Sequence, residues 1–312
     1  MERYIFGVDV GGTTVKLGLF GEKGNLLDKW EIPTVKADGG AAILPHVAES
    51  ILTKMAEKGI GEQELAGIGV GVPGAVDERG TLVGGAVNIG WKPFNIPEAL
   101  QAYIKVTVKA VNDANAAAFG EMWQGGGKGA NNLVAVTLGT GVGGGIVIDG
   151  RIVTGAVGAA GEIGHIHLED GETEACGCGN KGCLEQYASA TGIARLARRR
   201  LAQDGAPSIL REGEVSAKSV FDGVKAGDKI AIEIATQFGA YLGKGLAVVA
   251  AVVNPEIFVI GGGVSKAGEI LLSFVKPAFA QYAFPACRET GFALAELGND
   301  AGIYGAAGII LL

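Results

Sequence analysis

Two glycine-rich turns constrain this chain more than any other feature. Val8-Asp9-Val10-Gly11-Gly12-Thr13-Thr14 and Val136-Thr137-Leu138-Gly139-Thr140-Gly141-Val142-Gly143-Gly144-Gly145 each follow an apolar run and lead into another. After the first turn, Val15, Leu17 and Leu19 alternate with Lys16, Gly18 and Phe20, which is the period of a strand. The Walker A loop and the Rossmann fingerprint both place a helix directly after their glycines, so neither fits. What fits is a glycine-rich hairpin. Such a turn can still hold phosphate, because small residues let backbone N–H groups approach the oxygens and threonine hydroxyls add donors. Asp9, closing an apolar strand, suits a hydrated Mg²⁺ beside those phosphates. Two related turns also indicate an internal duplication, with one copy per lobe.

The rest of the chain repeats that plan. Strands are expected at 4–10, 15–20, 26–32 and 65–72, with a helix at 41–58 and a last strand of the first lobe at 106–111. Strands at 133–138, 144–148 and 151–154 restart it. Helices at 191–202, 217–226 and 230–253 follow, then a strand at 257–260, a helix at 267–279, a strand at 292–296 and a closing helix from 303. Strands alternating with helices give an α/β fold, and 312 residues suffice for two lobes. The 54 glycines lie in short clusters with no collagen period, and 48% of residues are apolar, which excludes collagen, disorder and coiled coil. A net charge of −7, with Arg198-Arg199-Arg200 as the longest basic run, argues against a nucleic-acid partner. The start lacks the pattern of a signal peptide. The longest apolar run, Leu246 to Val253, is far short of the ~20 residues a membrane span needs. A cytoplasmic protein without a membrane partner is expected.

Three of the four cysteines, Cys176, Cys178 and Cys183, fall close together, which in a cytoplasmic chain suggests zinc before a disulfide. A tetrahedral site needs a fourth ligand, for which His165 and His167 both stand near; the plain alternative is three buried structural thiols. Asn112-Asp113-Ala-Asn115 opens a helix, and Asp113 taken alone reads as its N-cap. Gly261-Gly262-Gly263, between a strand and a helix, is a simple turn on its own and a floor under a nucleotide base beside two phosphate hairpins.

Together these segments resemble a known group. Asp9-x-Gly-Gly-Thr, the Leu138–Gly145 turn and Gly261–Gly263 look like the two phosphate segments and the adenosine segment of the superfamily that holds sugar kinases, actin and the heat-shock-protein ATPases. Gly161-Glu162-Ile163-Gly164-His165, followed by Cys176-x-Cys178-x₄-Cys183-Leu-Glu185, is similar to the ROK family (repressors, open reading frames and sugar kinases), in particular its bacterial glucokinases. The resemblance covers essentially the whole chain.

The resemblance implies an actin-like, ribonuclease H-like fold of two lobes with a central cleft. The small lobe would comprise residues 1–112, with the helix near 301–312 packed back on it, and the large lobe residues 113–300. It implies ATP-dependent phosphorylation of glucose at the 6-hydroxyl, with Asp113 as the general base. Sugar contacts would come from Asn112, Glu162, His165 and Glu185, with Asn88 and Gly74 as weaker candidates. ATP would be held by Asp9, Gly11, Gly12, Thr13, Thr14, Thr140, Gly141, Gly262 and Gly263, together with Mg²⁺. A structural Zn²⁺ would take His165, Cys176, Cys178 and Cys183. A homodimer is the family expectation. Another hexose, such as N-acetylmannosamine or fructose, is the alternative substrate; a sugar-sensing repressor and a polyphosphate-dependent kinase are the alternative functions.

Overall fold

The alternating residues after the first glycine turn do form a strand. In a computed structural model, which describes residues 3–312, β1 (Tyr4–Val10), β2 (Thr14–Gly21) and β3 (Leu26–Pro33) run antiparallel, and Val15, Leu17 and Leu19 of β2 are buried. The first turn is a tight hairpin: Val10 pairs with Val15, and Gly11 N–H donates to Thr14 O at 3.0 Å. A single turn, α1 (Ala37–Gly40), precedes α2 (Ile43–Lys58), which ends on Gly59 in the left-handed region that favours glycine. Next come β4 (Leu65–Val72), a small hairpin of β5 (Thr81–Leu82) and β6 (Phe94–Asn95), α3 (Ile96–Gln101) and β7 (Val108–Asn112). The strand expected at 106–111 is thus shifted, and Asn112 becomes its last residue.

The second half contains α4 (Asp113–Gln124), β8 (Leu133–Leu138), β9 (Val142–Ile148) and β10 (Arg151–Ile152). After the cysteine segment come α5 (Glu185–Ala188), α6 (Ala190–Leu201), α7 (Ala217–Lys225) and α8 (Lys229–Val253). The chain closes with β11 (Ile257–Gly261), α9 (Glu269–Tyr282), β12 (Gly291–Leu294) and α10 (Ala301–Gly308). By length and composition alone α8 could cross a bilayer. Its apolar side is used in packing against α9 instead, where Gly239 and Gly243 let the Phe274 and Ala278 backbone approach.

The two main sheets share one plan. The first has the order β3-β2-β1-β4-β7, and the second β10-β9-β8-β11-β12. In each, the strands joined by a glycine turn sit beside a parallel pair: β4 and β7 beside β1, β11 and β12 beside β8. Both glycine turns therefore occupy the same position in a duplicated topology.

Packing divides the chain into two units. Unit 1 comprises the chain up to Asn131, Gly145–Gly161 and Glu296–Leu312; unit 2 comprises Asn132–Gly144 and Glu162–Ala295. The repeat plan divides the chain at 112/113, whereas by packing α4 belongs with α10 in unit 1. Those helices cross closely because Gly305 carries no Cβ, which would strike the Ala116 carbonyl. On its other side α10 packs on β1 and β4, where Gly7 and Gly69 are bare for the same reason.

Candidate active site

In unit 1 the expected residues gather at the C-terminal ends of β1, β4 and β7. Asp9 lies in the last turn of β1, and burial, followed by the charge of Asp113, pushes its carboxyl up to about 6, with Lys16 opposing. The helix that begins at Ala301 sits against it: a Cβ on Gly302 would lie 2.6 Å from the Asp9 carboxylate. A buried carboxylate whose proton affinity is raised by a second carboxylate fits a divalent cation.

Asp113 is the first residue of α4, and the cap of that helix is Asn112. The Asn112 Oδ1 accepts from Ala114 N–H at 2.9 Å and Asn115 N–H at 3.2 Å. The N-cap reading of Asp113 is thereby corrected. Asn112 Nδ2 donates to Gly74 O at 3.0 Å and to Asp113 Oδ1 at 3.1 Å, and Asp113 Oδ1 also accepts from Ala114 N–H at 2.8 Å. Every hydrogen-bonding position of Asn112 is occupied within the protein, so the residue orients Asp113. Gly74, at φ +101°, has its Cβ position 2.8 Å from Gly85 O, which requires glycine whatever else it does.

The first glycine hairpin is stitched to the segment after β3. Thr34 N–H donates to Thr13 O at 2.9 Å and Thr34 Oγ1 to Gly11 O at 2.7 Å. Thr13 is exposed and Thr14 opens β2. Above Gly12 there is open space, bounded by Asn88 Nδ2 and Lys36 Nζ, each 3.9 Å from the position of an added Cβ. Thr34 and Lys36 had no sequence signal, being single polar residues outside any glycine motif.

Unit 2 carries the other group. Its glycine turn is joined to the thiol segment by Glu185, whose Oε2 accepts from Val142 N–H at 2.9 Å and whose Oε1 lies 3.5 Å from Cys176 Sγ. Thr140 is exposed beside it. A Cβ on Gly141 would strike Glu185 Oε2. This separates the two glycines expected to meet phosphate. Gly12→Ala has room and should raise the KM for ATP alone, whereas Gly141→Ala should raise the KM for ATP and sugar together. Steady-state kinetics with both substrates varied checks this; equal effects from Gly12→Ala would indicate general misfolding.

Among the described residues His165, Cys176, Cys178 and Cys183 place one ligand atom each within 4.8 Å of the others. Cys178 and Cys183 Sγ are 3.7 Å apart, and Cys176 Sγ is 3.7 Å from His165 Nδ1. A tetrahedron with Zn–S bonds of ~2.3 Å has edges of about 3.8 Å, so the set fits zinc. His167 is engaged elsewhere: Nδ1 meets Lys181 O and Nε2 meets Asp170 Oδ1, each at 2.8 Å. With Nδ1 of His165 turned to the thiols, its Nε2 lies 3.9 Å from Glu162 Oε2, and Glu162 itself is exposed.

Sequence reasoning missed the clamp that holds this excursion. Buried Glu172 accepts from Tyr187 OH at 2.7 Å, bonds both Arg199 nitrogens at 3.0 and 3.2 Å, and pairs with Arg195 at 2.8 Å. The Arg199 guanidinium, above all, holds its carboxyl far below the usual range, so it stays charged and paired at working pH.

Gly262 takes φ +84°, with its Cβ position 2.5 Å from Leu138 O, and Gly263 next to it is open. Gly263 lines a cavity of about 420 Å³ with Ala190, Ala217, Phe221, Val264 and Ala267. Ser216, Lys218, Asp222, Lys225 and Lys266 complete its lining, so the cavity offers a planar base both apolar contact and polar partners.

The geometry has counterparts in known proteins. The ROK family description matches residues 5–311. A glucokinase of Halalkalibacterium halodurans is 44% identical over 314 residues, covering 99% of this chain and 95% of that protein. A ROK hexokinase from Thermus thermophilus superposes with a TM-score of 0.81 at 33% identity, over 98% of this chain and 97% of that one. A ROK family glucokinase from Streptomyces griseus, solved in complex with glucose and AMPPNP, gives 0.72 at 32% identity, over 98% of each chain. From the first strand to the residues after α10, and in its glycine turns and thiol knot alike, the chain belongs to the ROK family.

Proposed function

We propose that this chain is an ATP-dependent glucokinase that transfers the γ-phosphoryl group to the 6-hydroxyl of glucose. Asp113 carries the reading: it is a carboxylate held by Asn112 and Ala114 at a helix start, coupled to Asp9 beside a phosphate hairpin. Full-length likeness to proteins named glucokinase, one with glucose and AMPPNP bound, supports it. Asp113 takes the 6-hydroxyl proton as that oxygen attacks the γ-phosphorus and ADP departs. Gly11, Gly12, Thr13, Thr14, Thr140 and Gly141 cradle phosphates, and the cavity floored by Gly262 and Gly263 takes the adenosine. Asp9 would hold Mg²⁺, which supplies charge neutralisation on the phosphates.

Glu162, His165 and Glu185 meet the sugar hydroxyls. The carboxylates accept, and Nε2–H of His165 donates, its direction fixed from Nδ1. Zn²⁺ on His165, Cys176, Cys178 and Cys183 would have a closed shell and serve structure. A panel of hexoses, with ATP and polyphosphate as donors, tests the reading by sugar-dependent ADP or phosphate transfer. Glucose with ATP should give the highest kcat/KM; preference for N-acetylmannosamine, fructose or polyphosphate would replace it.

Protons report on Asp9. With its carboxyl raised to about 6, it is largely protonated below that pH and ionised above it. A cation bound there favours the charged form, so binding of Mg²⁺ with AMPPNP should release protons near pH 6 and not at pH 8. Calorimetry in buffers of different ionisation enthalpy measures this, and Asp9→Asn should abolish the difference.

A further inference from the structure

Lys36 stands over the first glycine hairpin, its Nζ 3.9 Å from the position a Cβ would take on Gly12. The chain reaches it from Thr34, whose bonds to Gly11 and Thr13 tie it to the phosphate hairpin. It then enters a run of three left-handed residues, Asp38, Gly39 and Gly40, at φ of 53°, 68° and 73°. A non-glycine residue such as Asp38 is disfavoured there, and such strain persists only where surroundings enforce it. They do so here. Trp91 Nε1 donates to Gly40 O at 3.0 Å in the interior, and a Cβ on Gly39 or Gly40 would lie 3.3 Å from Gly90 O or 2.5 Å from Ile89 O. The Lys36 turn is thus locked onto the turn that carries Asn88.

The consequence is a convergence of donors. Lys36 Nζ and Asn88 Nδ2 each lie 3.9 Å from the position a Cβ would take on Gly12. Lys36 is exposed and, among the described residues, its ammonium makes no ion pair and no hydrogen bond. A lysine two residues before that left-handed run, with its ammonium over Gly12 and no carboxylate paired to it, is a cation awaiting an anion.

We propose that Lys36 is a catalytic residue that contacts the phosphoryl group in transfer. This rests on the kinase reading above. One neighbour, Gly12, belongs to the phosphate hairpin, and the other, Asn88, to the candidate sugar contacts, so the ammonium lies at the end of the phosphate chain nearest the sugar. As the sugar O6 attacks phosphorus, the bond from phosphorus to the bridging oxygen breaks. Its electron pair leaves with ADP, and the O6 proton passes to Asp113. Lys36 keeps its protons throughout and stabilises the charge spread over the equatorial oxygens.

The test uses the full chain with Lys36→Met, Lys36→Arg and, as a charge control, the exposed Lys105→Met. Lys36→Met should lower kcat about 10²-fold, the scale for removing one positioned donor. The KM for sugar and the melting temperature should stay unchanged. Its affinity for AMPPNP should fall while that for ADP holds. Lys36→Arg should recover part of the kcat loss, and Lys105→Met should behave as wild type. Normal turnover by Lys36→Met, or equal losses of AMPPNP and ADP affinity, would overturn the assignment. If the wild type phosphorylated no hexose, the kinase reading would fail first, and the AMPPNP-to-ADP comparison would still decide the contact.

Discussion

Asp113→Asn should lower kcat by about 10²-fold or more and leave the KM for sugar near its wild-type value. The substitution is unusually clean here. The helix cap is supplied by Asn112, and the contacts of Asp113 Oδ1 with Ala114 N–H and Asn112 Nδ2 are ones an amide oxygen accepts equally well. Shape and local structure are therefore kept, while the charge and the capacity to take a proton are lost. A second readout follows from the coupling to Asp9: removing the charge at 113 should lower the Asp9 carboxyl from its raised value, moving its proton release to lower pH. Near-normal turnover of the variant would show that another group accepts the proton.

The second large effect concerns the thiol knot. If zinc fills the knot as proposed, Cys178→Ser should lower the metal content, lower the melting temperature and raise the KM for sugar by at least ~10-fold. The reason lies in what flanks the ligands. Glu162 sits beside His165, and Glu185 reaches Cys176 with one oxygen and the second glycine turn with the other. Loosening the knot moves first the carboxylates proposed to bind the sugar. Because Glu185 also abuts Gly141, the KM for ATP should rise as well, by less. Elemental analysis beside kinetics for both substrates measures this; a zinc-free protein with unchanged sugar KM would separate the knot from the site.

The readable parts of this chain are those in which one periodicity governs. Val15, Leu17 and Leu19 disclose a strand after the first glycine turn, and that alone removes the helix-bearing nucleotide motifs. The thiols are legible because cysteine is scarce. Other features depend on partners far away in sequence. Nothing in the spacing of His165 and His167 decides between them; Asp170 and Lys181 do, by occupying His167. The strand at 106–111 slips to Val108–Asn112 because Val106 and Val108 fit the same alternation. The stretch between Gly74 and Asn95 holds strands of two residues, too short to carry a period. Helix α3 had a local signal, Asn95 with Glu98 three residues on, the pattern of a capped start. Lys36 had none, since its meaning comes from a left-handed turn and a tryptophan more than fifty residues later.

The three-part make-up of unit 1 has a consequence for how the protein is made. Its sheet is complete by Asn112, yet α10, which packs on β1 and β4 and abuts Asp9, comes from the segment after Glu296. Its glycines at 302, 305 and 308 suit close approach and weaken the helix by itself, each by roughly 1 kcal/mol against alanine. That helix therefore forms on docking. During synthesis the first-made sheet must wait, with one face uncovered, until the whole of unit 2 has left the ribosome. The nascent chain should be most open to chaperones and to aggregation through that face, and the Asp9 environment should be the last part of the molecule to mature.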